Sequence, residues 1–239
     1  MLVLAYDTST LMGALGWISA QSEAPVERVE SFAESAMPAS PGHAETLLGR
    51  IDALLATGGH RVDQVELVVY GRGPGTFTGL RIGLSTAKGL ALARGVPLIG
   101  LSSLECLALS AGVDGLVAPV IDALRGEIFT GLYEISHAAG RPRARRVADD
   151  RVVKPSEFGR TLDGSDVERP PLLVGNGVER YREELASHGV LGPTRSSAVS
   201  AYWMAVVGLE RFLERGGDDP LTVEPIYLRE PDARLPQQK

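Results

Sequence analysis

The chain has 239 residues, of which 44% are hydrophobic, and a net charge of −6. The acidic balance argues against a freestanding nucleic-acid-binding protein but leaves local RNA contact open, and the single cysteine, Cys106, excludes an internal disulfide. No apolar run reaches the roughly 18 residues of a membrane span, and residues 2–6 already form a strand pattern, so we expect a cytoplasmic protein without a signal peptide.

The N-terminal part alternates between strand patterns and amphipathic helix patterns. Short apolar or alternating runs predict strands at residues 2–6, 13–18, 26–32, 65–70 and 96–101. Helices are predicted to open at Ser40-Pro41, at Thr78 and at Ser102, the last with Glu105 at capping-box spacing. Three strands before the first helix indicate hairpin pairing. The order βββαβαβα is that of the RNase H-like unit, the half-unit of actin/Hsp70-type folds.

The rest of the chain follows the same order of elements in shorter form, although no sequence repeat is detectable. Strands are predicted at 116–122, 127–135 and 172–174, and helices at 177–187 and 198–214. The arginine-containing segment 137–154 is interpreted as a polar loop, and the tail from Asp218 as irregular.

We therefore predict an α/β protein of the actin/Hsp70-like (ASKHA) fold with two RNase H-like lobes, the second reduced. The predicted divisions are a first, partner-binding lobe at 1–101, the reduced lobe at 102–197, a helix packing on the first lobe at 198–217, and an irregular tail at 218–239.

Asp7, Thr8 and Ser9 lie where the first strand ends and its hairpin begins. In an actin-like ATPase such a loop holds phosphate through backbone N–H groups and hydroxyls, with the aspartate near the metal. The same residue types also form ordinary turns. A vestigial nucleotide-binding loop and a capped strand end are therefore both left open.

A working ATPase needs a second phosphate loop, and the segment at the corresponding position lacks the residue types of such a loop. The segment from Asp122 to Arg125 contains Leu124, which prevents the close backbone approach that glycine allows, and no hydroxyl residue follows. Gly175-Asn176-Gly177 is either a remnant of an adenosine loop or a strand-to-helix turn. These patterns predict eroded nucleotide machinery and no cofactor.

The glycine-rich stretch from Gly71 to Gly79 matches neither the P-loop nor the dinucleotide-binding pattern. Pro74 removes a backbone donor and restricts φ, which suits a rigid turn better than an anion cradle. Arg81 falls in the first helical turn, where the helix dipole opposes a positive charge by about 0.3–1 kcal/mol. We expect either an acidic partner within the chain or a bound anion for Arg81.

Small residues recur at a spacing of four in the same helix, at Gly79, Gly83, Ala87 and Ala91. Such a stripe allows close approach of another element. Helical glycines cost about 1 kcal/mol each relative to alanine and need that packing as compensation. The stripe faces either the sheet of this chain or a helix of another subunit, and the sequence does not decide between them.

Metal and nucleophile chemistry find little support. None of the histidines has metal-binding spacing; they are His43, His60, His137 and His188. Cys106 falls among apolar residues of a predicted helix, as expected of a buried, inert thiol. The arginines within 137–154 can contact RNA phosphates or belong to a solvated loop, and the interruption at Asp149-Asp150 favours the loop.

These segments resemble the bacterial TsaB (YeaZ) family along most of the chain. The longest match runs from Gly73 to Ala91 and contains GPGTFTGLRIG and AKGLA. Shorter marks are Asp7-Thr8-Ser9, His43-x-Glu45, the hairpin from Asp122 to Phe129, Gly175-Asn176-Gly177 and Tyr227-Leu228-Arg229. Thr76 and Leu124 depart from the family pattern, in which serine and arginine are usual.

The resemblance implies a non-catalytic subunit in the threonylcarbamoyl modification of the tRNA adenosine beside the anticodon. Such proteins bind and activate a TsaD-type transferase, are joined by a TsaE-type ATPase and meet tRNA indirectly; a homodimer is also left open. Because family members pair through their first two helices, we predict a partner interface at Leu47, Ile51, Gly79, Arg81, Gly83, Ala87 and Ala91. The alternatives are an ATPase or small-molecule kinase of the same fold and, against the histidine pattern, a metallopeptidase.

Overall fold

A computed structural model describes residues 1–21, 29–38, 43–138, 141–162, 169–193 and 198–229. Its strands are β1 Leu2–Asp7, β2 Met12–Ala20, β3 Val29–Pro38, β4 Leu67–Gly71, β5 Leu98–Leu101, β6 Gly115–Asp122, β7 Ile128–Ala138, β8 Arg141–Val153, β9 Leu172–Val174 and β10 Val190–Leu191. Its helices are α1 His43–Thr57, α2 Phe77–Arg94, α3 Ser103–Leu109, α4 Asn176–Arg180, α5 Arg182–Leu185 and α6 Ala201–Arg215, with short 3₁₀ helices at Val62–Gln64 and Pro155–Thr161.

The first sheet has the strand order β3-β2-β1-β4-β5. β1, β2 and β3 form an antiparallel meander, whereas β1, β4 and β5 run parallel. The central strands are apolar throughout because both of their faces are covered. Alternate residues separate accordingly: Val3 and Val69 pack into the core that contains α6, whereas Leu4 and Val68 pack into the core that contains α1 and α2.

The second sheet repeats this topology. Its order, β10-β9-β6-β7-β8, places β6, β7 and β8 in an antiparallel meander and β6, β9 and β10 in parallel. The arrangement of β1 to β5 thus occurs twice, and the predicted actin/Hsp70-like fold is confirmed. The second unit is smaller because α4 and α5 contain only five and four residues.

Helices α3 and α6 connect the two sheets through one hydrophobic core. Leu104 of α3 and Met204 of α6 belong to a cluster that also holds Val3 and Ile99 of the first sheet and Val117 of the second. Helix α6 contacts β1 and β2 more extensively than any other strand, so this helix covers the first sheet. In the part of the chain that the structure describes, no helix is long and apolar enough to cross a membrane.

The prediction of a polar loop at 137–154 is wrong. This segment completes β7 and forms β8, an edge strand antiparallel to β7. An edge strand tolerates charged residues because one side of it is solvated. Several of its arginines have partners within the chain: Arg145 pairs with Glu134, and Arg151 donates to the carbonyl of Arg160.

Other predicted elements hold with small changes. The helix predicted at 177–187 is divided into α4 and α5 at Tyr181, whose backbone is not helical. The cap predicted at Ser102 is confirmed, since its hydroxyl accepts from the N–H of Glu105 at 3.4 Å. The predicted helix start at Ser40-Pro41 and the predicted strand residues 26–28 lie outside the described residues.

Candidate functional site

The candidate site lies at the carboxyl end of β1, the edge at which open α/β sheets bind ligands. Asp7 ends this strand and is almost completely buried. One carboxylate oxygen accepts from the N–H of Ser9 at 2.6 Å, and the other accepts from the hydroxyl of Ser103 at 2.6 Å. Both oxygens are therefore bound by groups of the chain itself.

The glycine-rich loop covers Thr8 and Ser9. Thr8 Oγ1 donates to the carbonyl of Gly79 at 2.7 Å, and the carbonyl of Ser9 accepts from the N–H of Thr76 at 2.7 Å. A Cβ atom at Gly75 would overlap Ser9, and one at Gly79 would overlap the carbonyl oxygen of Thr8. Because Gly75 and Gly79 have no side chains, the loop can pack directly on the Thr8–Ser9 turn. It therefore covers the surface on which a phosphate would bind.

The C-terminal tail holds the glycine-rich loop in place. The N–H of Ile226 donates to the carbonyl of Arg72 at 2.7 Å, and Arg72 Nε donates to the carbonyl of Glu224 at 3.0 Å. Asp218 accepts from the N–H of Gly100 at 2.8 Å, which fixes the start of the tail against β5. The described part of the tail contains no helix, as predicted, but its backbone is anchored at both places.

The second lobe carries an equivalent turn. Asp122 ends β6 and accepts from the N–H of Leu124 at 2.9 Å, in the same two-residue turn that follows Asp7. Its second carboxylate oxygen pairs with Arg180 at 3.0 Å. The N–H of Asp122 donates to Asn176 Oδ1 at 3.0 Å, so the turn after β9 is tied to the end of β6.

The predicted partner interface requires a correction. Six of its seven residues are buried within the chain, namely Leu47, Ile51, Gly79, Gly83, Ala87 and Ala91. The carbonyl of Gly83 accepts from the hydroxyl of Tyr6 at 3.0 Å, which places the small-residue stripe against β1. These six side chains face the interior of this chain, so a partner that docks on α1 and α2 would contact the outer sides of the two helices. The stripe packs on the sheet of this chain, and of the seven residues only Arg81 is exposed.

The solvent-facing sides of α1 and α2 nevertheless form an open groove of about 610 Å³. Its lining includes Leu48 of α1 together with Arg81, Ile82, Ser85, Gly89 and Leu90 of α2. Leu48 is 54% exposed although it is an aliphatic residue on a packed helix. The two helices therefore leave a mainly apolar surface without a covering element in the described chain, and we name it the α1–α2 groove.

Arg81 has no acidic partner within the described residues. Its guanidinium carbon lies 3.9 Å from the centroid of the Phe77 ring, one helical turn earlier. The ring of Tyr227 lies 5.7 Å from that of Phe77, at an angle of 34°. The two aromatic residues are 47% and 45% exposed. Of the two alternatives predicted for Arg81, the acidic partner is not found among the described residues, and the guanidinium stacks on an aromatic ring instead. The bound anion stays a prediction.

Comparison with known proteins agrees with this architecture. A family model described as TsaD, tRNA N6-adenosine threonylcarbamoyltransferase, matches residues 37–163. The TsaB protein of Bacillus subtilis is 28% identical over 96% of this chain and 94% of its own length. An uncharacterized protein of Mycobacterium tuberculosis is 30% identical over 97% of this chain and 93% of its own length. This chain belongs to the TsaB family.

A solved structure extends the comparison to three dimensions. YeaZ from Pseudomonas aeruginosa is similar with a TM-score of 0.74 and 25% identity, over 95% of this chain and 99% of that chain. The family resemblance inferred from the sequence motifs is thus confirmed, and it covers both lobes. The match to a transferase family model also indicates that this chain and the transferase family are related over residues 37–163.

Two groups of polar side chains, each with a largely buried carboxylate, lie beside α3 in this TsaB-family chain. Glu105 of α3 pairs with Arg211 of α6. Asp150 of β8 accepts from the hydroxyl of Tyr133 at 2.5 Å and pairs with Arg146 at 3.4 Å. Burial raises the pKa of both carboxyl groups. The loss of water outweighs the lowering of the pKa by Arg211 at Glu105, and by the Tyr133 hydrogen bond and Arg146 at Asp150.

The residues considered for nucleophile or metal chemistry do not gather at this site. Cys106 is buried, as predicted, and burial raises the pKa of its thiol well above the ordinary value. Across the described ranges, no three His, Cys, Asp or Glu residues are grouped so that they could hold a metal ion.

Three residues that shape the site were not among the predicted site residues, namely Ser103, Phe77 and Tyr227, although the last two lie in segments that carry the family resemblance. The spacing of Phe77 and Arg81 was a usable signal, since residues four apart on a helix are neighbours. Ser103 follows the predicted cap and carried no separate pattern. Tyr227 is far from Phe77 along the chain, and no local pattern links the two.

Proposed function

We propose that this protein is a non-catalytic subunit in the biosynthesis of threonylcarbamoyladenosine in tRNA, and that it binds and activates a TsaD-type transferase. Relatives from Bacillus subtilis, Haemophilus influenzae and Escherichia coli are named tRNA threonylcarbamoyladenosine biosynthesis protein TsaB, which supports the pathway. In this proposal the TsaE-type ATPase and tRNA join through the complex. The observation that carries the non-catalytic role is the coverage of the Asp7-Thr8-Ser9 turn by the chain itself.

A phosphate at this turn would need free N–H and hydroxyl donors. The N–H of Ser9 is bound to Asp7, and the hydroxyl of Thr8 is bound to the carbonyl of Gly79. The hydroxyl of Ser9 has no hydrogen-bond partner among the described residues, but it is completely buried. Opening these contacts leaves buried polar groups without partners, at a cost of about 1–3 kcal/mol for each group. The turn is therefore better suited to holding the glycine-rich loop than to holding a nucleotide.

The α1–α2 groove supports pairing with the transferase. It is mainly apolar and includes the exposed Leu48, as expected of a protein–protein contact surface. The transferase family model matches residues 37–163, which include α1 and α2, and this supports a corresponding pair of helices in the transferase. Two such pairs can pack against each other in the manner of a four-helix bundle.

Co-expression with the TsaD-type paralogue tests the docking surface. In Leu48→Arg, a charge is placed in the groove, and we expect co-purification and the modified tRNA nucleoside to be lost. Leu213→Arg is the matched control, because Leu213 is 49% exposed on α6 and lies outside the groove. Equal pairing by the two variants, with unchanged circular dichroism, would show that the groove is not the docking surface. A homodimer through the same groove would appear as concentration-dependent mass in the absence of the transferase.

The non-catalytic role is tested separately on the isolated protein. We expect no ATP hydrolysis above that of a buffer control. Hydrolysis by the wild-type protein that disappears in Asp7→Ala would support the rival ATPase function and refute the proposed one. The transferase pairing assay is independent of this result, so the two parts of the proposal can fail separately.

A further inference from the structure

Three planar side chains gather at the start of α2 with their faces partly open to solvent. The guanidinium of Arg81 lies on the ring of Phe77, and Tyr227 extends the group from the C-terminal tail. Neither the guanidinium nor the Tyr227 hydroxyl has a hydrogen-bond partner among the described residues. We name Phe77, Arg81 and Tyr227 the aromatic platform.

The platform is held rigidly. Phe77 is the first residue of α2, directly after Thr76, whose side chain caps the helix by accepting from the N–H of Gly79. The backbone N–H of Ile226, next to Tyr227, is bound to the carbonyl of Arg72. Because both rings sit on anchored backbone, a ligand stacking on them meets a surface that needs little ordering on binding.

The segment that carries Phe77 and Arg81 is basic, although the net charge of the protein is −6. Residues 71–104 contain no acidic residue and four basic ones, Arg72, Arg81, Lys88 and Arg94, of which Arg94 lies at the far end of α2. The tail residues 218–229, which carry Tyr227, add three acidic residues and one basic one. Exposed aromatic rings beside an arginine in a basic segment are the combination with which proteins bind unpaired nucleotides. The stacked guanidinium keeps its N–H donors available for a base edge or a phosphate.

We propose that the aromatic platform binds one unpaired nucleotide of an RNA, in direct contact with this chain. The inference rests on the proposed function for the identity of that RNA, which is the tRNA substrate. Arg81 also lines the α1–α2 groove, so the platform borders the proposed docking surface. RNA held there lies beside the transferase rather than on a remote face of the complex.

Fluorescence anisotropy with a labelled anticodon stem-loop RNA tests the proposal, using the full chain alone and in complex with the transferase. Phe77→Ala and Tyr227→Ala are each expected to weaken RNA binding by about 5- to 100-fold, the usual effect of removing a stacking partner. Phe77→Trp is expected to retain binding. Phe32→Ala is the matched control, because Phe32 is 57% exposed but lies on β3.

The salt dependence separates stacking from charge. Arg81→Ala is expected to lower the salt slope of binding by about 0.7 if the guanidinium contacts one phosphate. Phe77→Ala leaves that slope unchanged while it weakens binding.

Any one of three results would refute the proposed RNA binding by the platform. The first is that the wild-type protein binds no RNA, either alone or in complex with the transferase. The others are equal RNA binding by Phe77→Ala and Phe32→Ala, and binding of free adenosine monophosphate as tight as that of the RNA. Loss of transferase pairing in Phe77→Ala with RNA binding intact would identify the surface as a protein contact instead. Leu48→Arg is expected to lose pairing and to keep RNA binding by the isolated chain, so failure of the platform is distinguishable from failure of the proposed function.

Discussion

Asp7 and Asp122 hold the same position in the two lobes: each ends the first strand of its sheet and accepts from the N–H two residues later. Their remaining oxygens have different partners, the hydroxyl of Ser103 for Asp7 and the guanidinium of Arg180 for Asp122. An actin-like enzyme uses two such turns to hold a nucleotide. Here both carboxylates bind neighbouring parts of the chain, which gives the repeated turn a structural role.

Removing the acceptor at Asp7 is expected to destabilise the fold. Asp7→Ala leaves the Ser9 N–H without a partner and the Ser103 hydroxyl without its acceptor, although that hydroxyl still accepts from the N–H of Gly73. An unsatisfied buried group costs about 1–3 kcal/mol. Urea unfolding followed by circular dichroism measures the loss. Ser103→Ala is expected to cost less, and the double variant less than the sum of the two. Strictly additive losses would show that the Asp7–Ser103 contact contributes nothing.

Two glycines of α2 should respond in opposite directions to the same substitution. At Gly79 a Cβ atom overlaps the carbonyl oxygen of Thr8, so Gly79→Ala is expected to lower the free energy of unfolding by about 1–3 kcal/mol or more. At Gly89 nothing lies within 4 Å, so Gly89→Ala is expected to raise it by about 1 kcal/mol through helix propensity. Denaturant titration measures both variants, and each serves as the control for the other because the substitution and the helix are the same. A stabilising effect of Gly79→Ala would contradict the close packing of the loop on Thr8.

The pH dependence of stability should change when Glu105 is replaced. Burial raises the folded-state pKa of this carboxyl above its ordinary value of 4.5. The raised pKa means that the protonated carboxyl stabilises the folded state. This contribution to the free energy of unfolding is complete at pH values below 4.5 and is lost as the pH rises through the raised pKa. Glu105→Gln no longer titrates, so the variant should gain stability relative to wild type as the pH rises from about 4.5 toward neutral.

Urea unfolding at several pH values measures this difference. Glu214→Gln is the matched control, because Glu214 is exposed on the neighbouring helix α6. A difference between wild type and Glu105→Gln that stays constant with pH, or that falls as the pH rises, would contradict the raised pKa.

The C-terminal tail should contribute measurably to stability. Deletion of residues 218–239 removes the Asp218–Gly100 and Ile226–Arg72 hydrogen bonds and the buried side chain of Val223. Burial of a valine side chain alone is worth about 1.5–3 kcal/mol, which corresponds to a fall in Tm of at least about 3 °C in a chain of this size. Differential scanning calorimetry measures the shift.

A shorter deletion gives the control for the tail. A chain that ends at Arg229 keeps all three of these contacts, so its Tm should stay closer to that of the full chain than the Tm of the longer deletion. Equal Tm values for the full chain and the longer deletion would show that the tail does not hold the glycine-rich loop.

Much of the fold was predictable because the deciding forces act between near neighbours. The apolar runs of β1 and β4, the helical spacing in α1 and the cap at Ser102 are patterns that a few consecutive residues express. The order of elements then limits the topology, since three strands before a helix pair as a meander. The loop predicted at 137–154 failed because an edge strand with a solvated side has the polar composition of a loop.

The site depended on contacts that no spacing encodes. A stripe of small residues at Gly79, Gly83, Ala87 and Ala91 has the same appearance whether it meets its own sheet or another subunit, and only the position of Tyr6 and Thr8 decided for the sheet. Likewise, the sequence placed Phe77 and Arg81 one turn apart, but Tyr227 reaches them only because the tail folds back over Arg72. The sequence by itself determined most of the elements and their order, since periodicity is a local property, but it did not predict β8 or β10. The tertiary structure decided which faces are buried and which residues meet, because those depend on packing between segments that are distant along the chain.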